Sequence, residues 1–118
     1  MIKILAFSGS SRRASLNQKL LDRTVLGARE AGAELTPIRR SDYALPIYDA
    51  DWEAEHGLPQ GAQKLRALLA SHESLLIATP EHNGGYTALL KNALDWMSRP
   101  DGIPSGKVAA LISDCSAV

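Results

Sequence analysis

The 118 residues include thirteen basic and thirteen acidic side chains and are 45% apolar, a balance that suits one ordinary folded domain and excludes a disordered chain. Cancelling charges leave no long-range field to recruit nucleic acid or an anionic membrane, so a basic pair such as Arg12 and Arg13 acts only locally. The apolar runs Leu75 to Ala78 and Val108 to Ile112 fall far short of the roughly 20 residues of a membrane span, the lone Cys115 cannot form an internal disulfide, and no leader pattern opens the chain, so a reducing cytoplasm is the expected setting.

Lys3 to Phe7 is almost wholly apolar, the pattern of a central parallel strand covered on both faces. Leu16, Leu20, Leu21, Val25 and Ala28 recur at helical spacing ahead of Gly32, predicting a helix over Asn17 to Ala31 with a C-terminal glycine. Ala33 to Ile38, more polar around Leu35, predicts an edge strand. Arg39 to Pro59 is too rich in Asp, Pro and Tyr for a regular element and reads as a long connection, expected beside the ligand or a partner subunit. Gln60 to Ser71 then predicts a helix burying Ala62, Leu65, Leu68 and Leu69, and Ser74 to Thr79 a strand ended by Pro80. Glu81 to Gly85 reads as a polar turn, Tyr86 to Met97 as a helix and Lys107 to Ile112 as a fourth strand.

Strands alternating with helices predict an α/β fold: a flavodoxin-like three-layer sandwich whose parallel sheet runs in the order 2-1-3-4. Ligands in such sheets sit beyond the carboxyl ends of the strands, where the winding reverses. Ser8 to Ser15 and Pro80 to Gly85 are the two loops expected side by side there. The sequence stops soon after the fourth strand, so the expectation is one C-terminally incomplete domain over 1–118 without a fifth strand. Val108 to Ile112 would then be an uncovered apolar edge, in a partial chain or one completed by another subunit.

The first loop is neither the lysine-containing loop of nucleoside triphosphatases nor a closely spaced glycine fingerprint for a pyrophosphate. Ser8, Ser10, Ser11, Ser15 and Asn17 instead supply neutral donors and Arg12 a charged fork, a set suited to one phosphomonoester at a helix N-terminus. The same residues also suit a serine-rich capped turn. The second loop, Thr79-Pro-Glu-His-Asn-Gly-Gly-Tyr, offers backbone N–H groups and two glycines as a rim for a flat heterocycle. Donors beside an isoalloxazine would favour the negative charge it gains on reduction. An ordinary strand-to-helix turn accounts for that loop equally well.

Taken together, Gly-Ser-Ser-Arg-Arg-Ala-Ser-Leu-Asn (Gly9 to Asn17) and Pro-Glu-His-Asn-Gly-Gly-Tyr-Thr-Ala-Leu-Leu-Lys-Asn-Ala-Leu-Asp-Trp (Pro80 to Trp96) resemble the NADPH-dependent FMN reductase family, a flavodoxin-like group that includes quinone, chromate and azo-compound reductases. Leu45-Pro-Ile-Tyr-Asp-Ala-Asp resembles that family's middle loop. The resemblance implies an FMN phosphate held by Ser10, Arg12, Ser15, Leu16 and Asn17, and a ring held by Pro80, Glu81, His82, Asn83 and Gly84 with Ser113 at its border. It implies no catalytic side chain: NAD(P)H would pass a hydride to flavin N5, and the electrons would go on to a quinone, flavin, azo compound or metal oxyanion. It further implies a homodimer or homotetramer, with Leu90 to Trp96 near the subunit interface. A flavodoxin-like electron carrier and an inactive FMN-binding fragment are the alternatives.

His82 stands where the family usually has Tyr, bringing a group that titrates near neutral pH to the ring site. Gly85 and Ala88 replace the more usual Ser and Gly. His56 and His72, with no ligand partners at metal spacing, read as solvated histidines, Cys115 as a structural thiol, and Trp52 and Trp96 as packing residues. Asp49 to Asp51, Glu53 and Glu55 read as a solvated acidic loop.

Overall fold

The computed structural model describes residues 2–9, 16–80, 87–99 and 107–113. In chain order these form β1 (Lys3–Ser8), α1 (Leu16–Glu30), β2 (Glu34–Pro37), a 3-10 turn (Arg40–Asp42), α2 (Ala50–His56), α3 (Gln60–Ser71), β3 (Ser74–Ala78), α4 (Ala88–Met97) and β4 (Val108–Ile112). The four strands are parallel and lie in the order β2-β1-β3-β4, the flavodoxin-like arrangement.

The alternating side chains of β1 and β3 build two cores, one on each face of the sheet. Leu5, Phe7, Leu75 and Ile77 face α3 and α4, where Leu65, Leu69, Leu90 and Met97 close the layer. Ala6, Leu76 and Ala78 face Leu21 and Val25 of α1. Burying each large aliphatic side chain of these layers contributes about 1.5–3 kcal/mol. Because α1 carries the chain from β1 outward to β2, while α4 carries it from β3 outward to β4, the connections diverge between β1 and β3. In sheets of this kind ligands bind at that divergence, beyond the carboxyl ends of the strands.

Gly32, at φ +97, ends α1 in a conformation that side chains resist. β2 is an edge strand as expected. β4 pairs with β3, yet Val108 and Leu111, on its opposite faces, remain 68% and 66% exposed. Among the described residues, both faces of this apolar strand are therefore open.

The segment between β2 and α3 departs from the sequence reading. It is not one irregular connection: Asp49 accepts hydrogen bonds from the backbone N–H groups of Asp51 (2.8 Å) and Trp52 (3.2 Å) and starts α2, which Gly57 ends at φ +76. His72 is also misread as solvated. It is 6% exposed, and its ring bridges the Leu68 carbonyl and the Thr36 hydroxyl, 2.7 Å from Nε2, tying the end of α3 to β2. His56 is exposed as expected, but on α2, stacked on Trp52 with ring centroids 4.5 Å apart.

Candidate functional site

Three strands end together at the carboxyl rim, with Ser8 opposite Ala78 and Ala78 opposite Ile112. Each chain continues the ladder by one bond: Gly9 N donates to the Ala78 carbonyl at 2.7 Å, and Thr79 N to the Ile112 carbonyl at 3.0 Å. A single hydroxyl then links the second loop's return to the first loop's departure. Thr87 Oγ1 donates to the Gly9 carbonyl at 2.8 Å while accepting from Leu90 N at 3.0 Å, so the side chain that caps α4 also fastens the exit of β1. Segment 10–15 thus begins, and segment 81–86 finishes, at one point of the rim.

Gly9 is required here for space rather than for an unusual φ. A Cβ on Gly9 would lie 2.9 Å from Thr79 Oγ1, 3.1 Å from Thr79 Cβ and 3.3 Å from Leu90 Cβ. The bare backbone is what lets β1, β3 and α4 meet.

Four of the expected site residues lie among those described. Leu16 begins α1 and is half exposed, whereas Asn17 beside it is 4% exposed. Pro80 is partly buried directly after β3, and Ser113 is exposed directly after β4. Pro80 and Ser113 thus directly follow strand ends at the carboxyl rim, and Leu16 and Asn17 open α1. No carboxylate stands in the first turn of α1, so the positive end of that helix dipole meets no negative side chain there. Ser10, Arg12, Ser15, Glu81, His82, Asn83 and Gly84 lie outside the described residues.

The sequence reading included Thr79 and Thr87 in its second-loop motifs but gave neither a role of its own. Thr87 had a visible signal, a hydroxyl residue directly before the apolar helix Ala88-Leu-Leu. Thr79 had none, because its contact with Gly9 is purely tertiary.

A second construction holds the middle segment against α3 and α4. Asn92 donates from Nδ2 to the Pro46 carbonyl (2.9 Å) and accepts from Tyr48 N (2.8 Å), while Trp96, fully buried, donates from Nε1 to the same Pro46 carbonyl (2.7 Å). Ile47, between the two gripped residues, is 85% exposed. Gly61 of α3 packs so closely that a Cβ there would lie 2.5 Å from the Ala44 carbonyl oxygen.

The acidic stretch is not a solvated loop throughout. Glu53 is held by both Arg99 and the Tyr48 hydroxyl, and the Arg99 guanidinium lies over the Tyr48 ring. The Arg99 hydrogen bond, helped by that from Tyr48, holds the Glu53 carboxyl below its ordinary pKa. Burial and the bond to Glu53 push the Tyr48 phenol upward. Tyr48, Trp52 and Trp96 form an edge-to-face cluster beneath this pair, so both tryptophans are packing residues as the sequence suggested.

No helix among the described residues is long and apolar enough to cross a membrane. Comparison with known proteins gives a consistent picture. An NAD(P)H-dependent FMN reductase of Pseudomonas aeruginosa is 38% identical over 113 residues, covering 94% of this chain and 58% of its own length. A probable NADPH:quinone oxidoreductase of rice, Oryza sativa subsp. japonica, is 34% identical, covering 95% of this chain and 55% of its own. Among solved structures, the flavoenzyme NAD(P)H:(acceptor) oxidoreductase FerB from Paracoccus denitrificans superposes with a TM-score of 0.75 at 34% identity, over 96% of this chain and 60% of that one. The chain therefore spans somewhat more than half the length of these relatives. With residues 2–117 matching the family described as NADPH-dependent FMN reductase, the chain belongs to that family.

Proposed function

We propose that this chain is the FMN-binding part of an NAD(P)H-dependent oxidoreductase. Ser10, Arg12, Ser15, Leu16 and Asn17 would hold the phosphate, and Pro80, Glu81, His82, Asn83 and Gly84 the ring, with Ser113 at its border. The observation that carries the reading is the tie of Thr87 to Gly9 and of Gly9 to Ala78, which brings the described ends of both loops together at the carboxyl rim of the sheet. The described residues fit the group: an α1 first turn free of carboxylates beside a rim of strand ends suits a phosphate dianion.

Bound FMN would supply a ring that takes a hydride from NAD(P)H and returns the electrons to an acceptor. Quinones come first among acceptors because several relatives are named quinone reductases, with flavins, azo compounds and metal oxyanions as further members of the class. The chain's own residues would position the ring and leave one face accessible to donor and acceptor in turn, so proximity and the backbone donors of the rim do the work. The reading includes a reducing cytoplasmic setting and a homodimer or homotetramer. Further polypeptide, of this chain or a partner, would cover the open faces of β4.

Titration with FMN, followed by quenching of flavin fluorescence, tests the assignment. Saturable one-to-one binding is expected, followed by bleaching of the bound flavin on anaerobic addition of NADPH. Binding without direct reduction would make the protein an electron carrier, and absence of binding would refute the reading.

A further inference from the structure

Gly9 stands between the two ends of segment 81–86. On the departing side, Thr79 lies so close that a Cβ on Gly9 would be 2.9 Å from its Oγ1, and that hydroxyl donates to the Pro80 carbonyl at 3.1 Å. On the returning side, the Thr87 hydroxyl donates to the Gly9 carbonyl across 78 positions of sequence. Gly9 is also bonded to the end of β3 through its own N–H on the Ala78 carbonyl, and it leads directly into segment 10–15.

Of these contacts the Thr87 bond joins one loop to the other by a single side-chain atom. Gly9 and Thr87 are both buried, so water does not stand in for the donor if it is removed. The same oxygen accepts from Leu90 N, and α4 is seated in the core through Leu90 and Met97. The hydroxyl therefore fastens the exit of β1 to a packed helix.

A ligand that bridges two loops gains from their fixed separation. With both held, contact at one presents the other at high effective concentration; with one free to drift, that gain is lost although the contacts of each loop are unchanged. Riboflavin, which has the ring of FMN without its phosphate, meets the ring loop and draws nothing from the spacing.

We propose that Thr87 is a positioning residue that sets the preference for FMN over riboflavin, its hydroxyl fixing the exit toward the phosphate loop against the return of the ring loop at the spacing one FMN spans; this rests on the reading of the two loops as an FMN site.

Titrations with FMN and with riboflavin, both followed by flavin fluorescence, give the ratio of the two dissociation constants. Thr87→Val keeps the shape of the side chain and loses the hydroxyl: the preference for FMN should fall about tenfold, the size of one buried hydrogen bond, with riboflavin affinity within about threefold of the wild type. Thr87→Ser keeps the donor and should restore the ratio. Thr87→Ala repeats the loss with a smaller side chain, and urea unfolding of each variant establishes that the titrated protein is folded. If Thr87 served only to hold α4, both flavins would weaken alike and the ratio would stay at its wild-type value. That result, an unchanged FMN affinity in Thr87→Val, or a Ser variant that behaves like Val would overturn the proposal. Equal affinity of the wild type for the two flavins would overturn it while leaving the flavin site standing, whereas wild-type protein that binds neither would refute the FMN reading itself.

Discussion

Adding one methyl group at Gly9 should disturb the proposed site more than its size suggests. In Gly9→Ala the new Cβ meets Thr79 Oγ1 at 2.9 Å, Thr79 Cβ at 3.1 Å and Leu90 Cβ at 3.3 Å. Rotating Thr79 would relieve the first contact only, and would give up the bond from its hydroxyl to the Pro80 carbonyl. The two Cβ contacts are fixed by backbone, so β3 and α4 must move apart by a few tenths of an ångström. Overpacking of this kind costs about 1–3 kcal/mol. If about 1.4 kcal/mol of that falls on the bound state, FMN affinity drops about tenfold. Urea unfolding and FMN titration of the same variant measure the two effects. Thr79→Ala in the Gly9→Ala background removes the closest atom and should restore part of both losses, a coupling that a double-mutant cycle reads directly. Wild-type stability together with wild-type FMN affinity in Gly9→Ala would show that the close approach of the three elements does not shape the cleft.

Asn92→Ala removes a donor to Pro46 and the acceptor for Tyr48 N, so the denaturation midpoint should fall by the equivalent of about 1–3 kcal/mol; Asn92→Asp, which keeps the acceptor, should lose less. In Gly61→Ala the new Cβ meets the Ala44 carbonyl oxygen at 2.5 Å and the Tyr43 carbonyl carbon at 3.1 Å, both backbone atoms. The expected cost is about 2–3 kcal/mol, with faster proteolysis within 40–59 as the readout. Because the folded Glu53 pKa lies below its ordinary value, its contribution is full above the unfolded pKa and disappears as pH falls through the folded one. Melting temperatures across the acid range should therefore decline less steeply in Glu53→Gln than in the wild type.

Local pattern made the regular elements legible. The apolar run of β1, the periodic leucines of α3 and the glycine after α1 each state their structure within a few residues, and the bounds read for α3 agree with those observed. α2 escaped because seven residues with one large apolar side chain, Trp52, carry no helical period. Its ends were nonetheless written in the chain: Asp49 as N-cap, acidic residues in the first turn, His56 in the last and Gly57 beyond. Tertiary pairing was not legible. His72 is buried by a partner 36 positions away, and Glu53 is neutralised by Arg99 across 46, separations that local sequence does not encode. The site was legible in a different way. Two loop motifs suggested the ligand chemistry, whereas the bond by which Thr87 ties α4 to Gly9 became visible only in three dimensions.

The central claim is that segments 10–17 and 81–87 share one ligand. Hydrogen–deuterium exchange with and without FMN addresses it most directly. The account predicts slowed exchange in both segments at the same FMN concentration, with the outer turns of α3 unchanged. Protection confined to one segment, or appearing in the two at different concentrations, would contradict it.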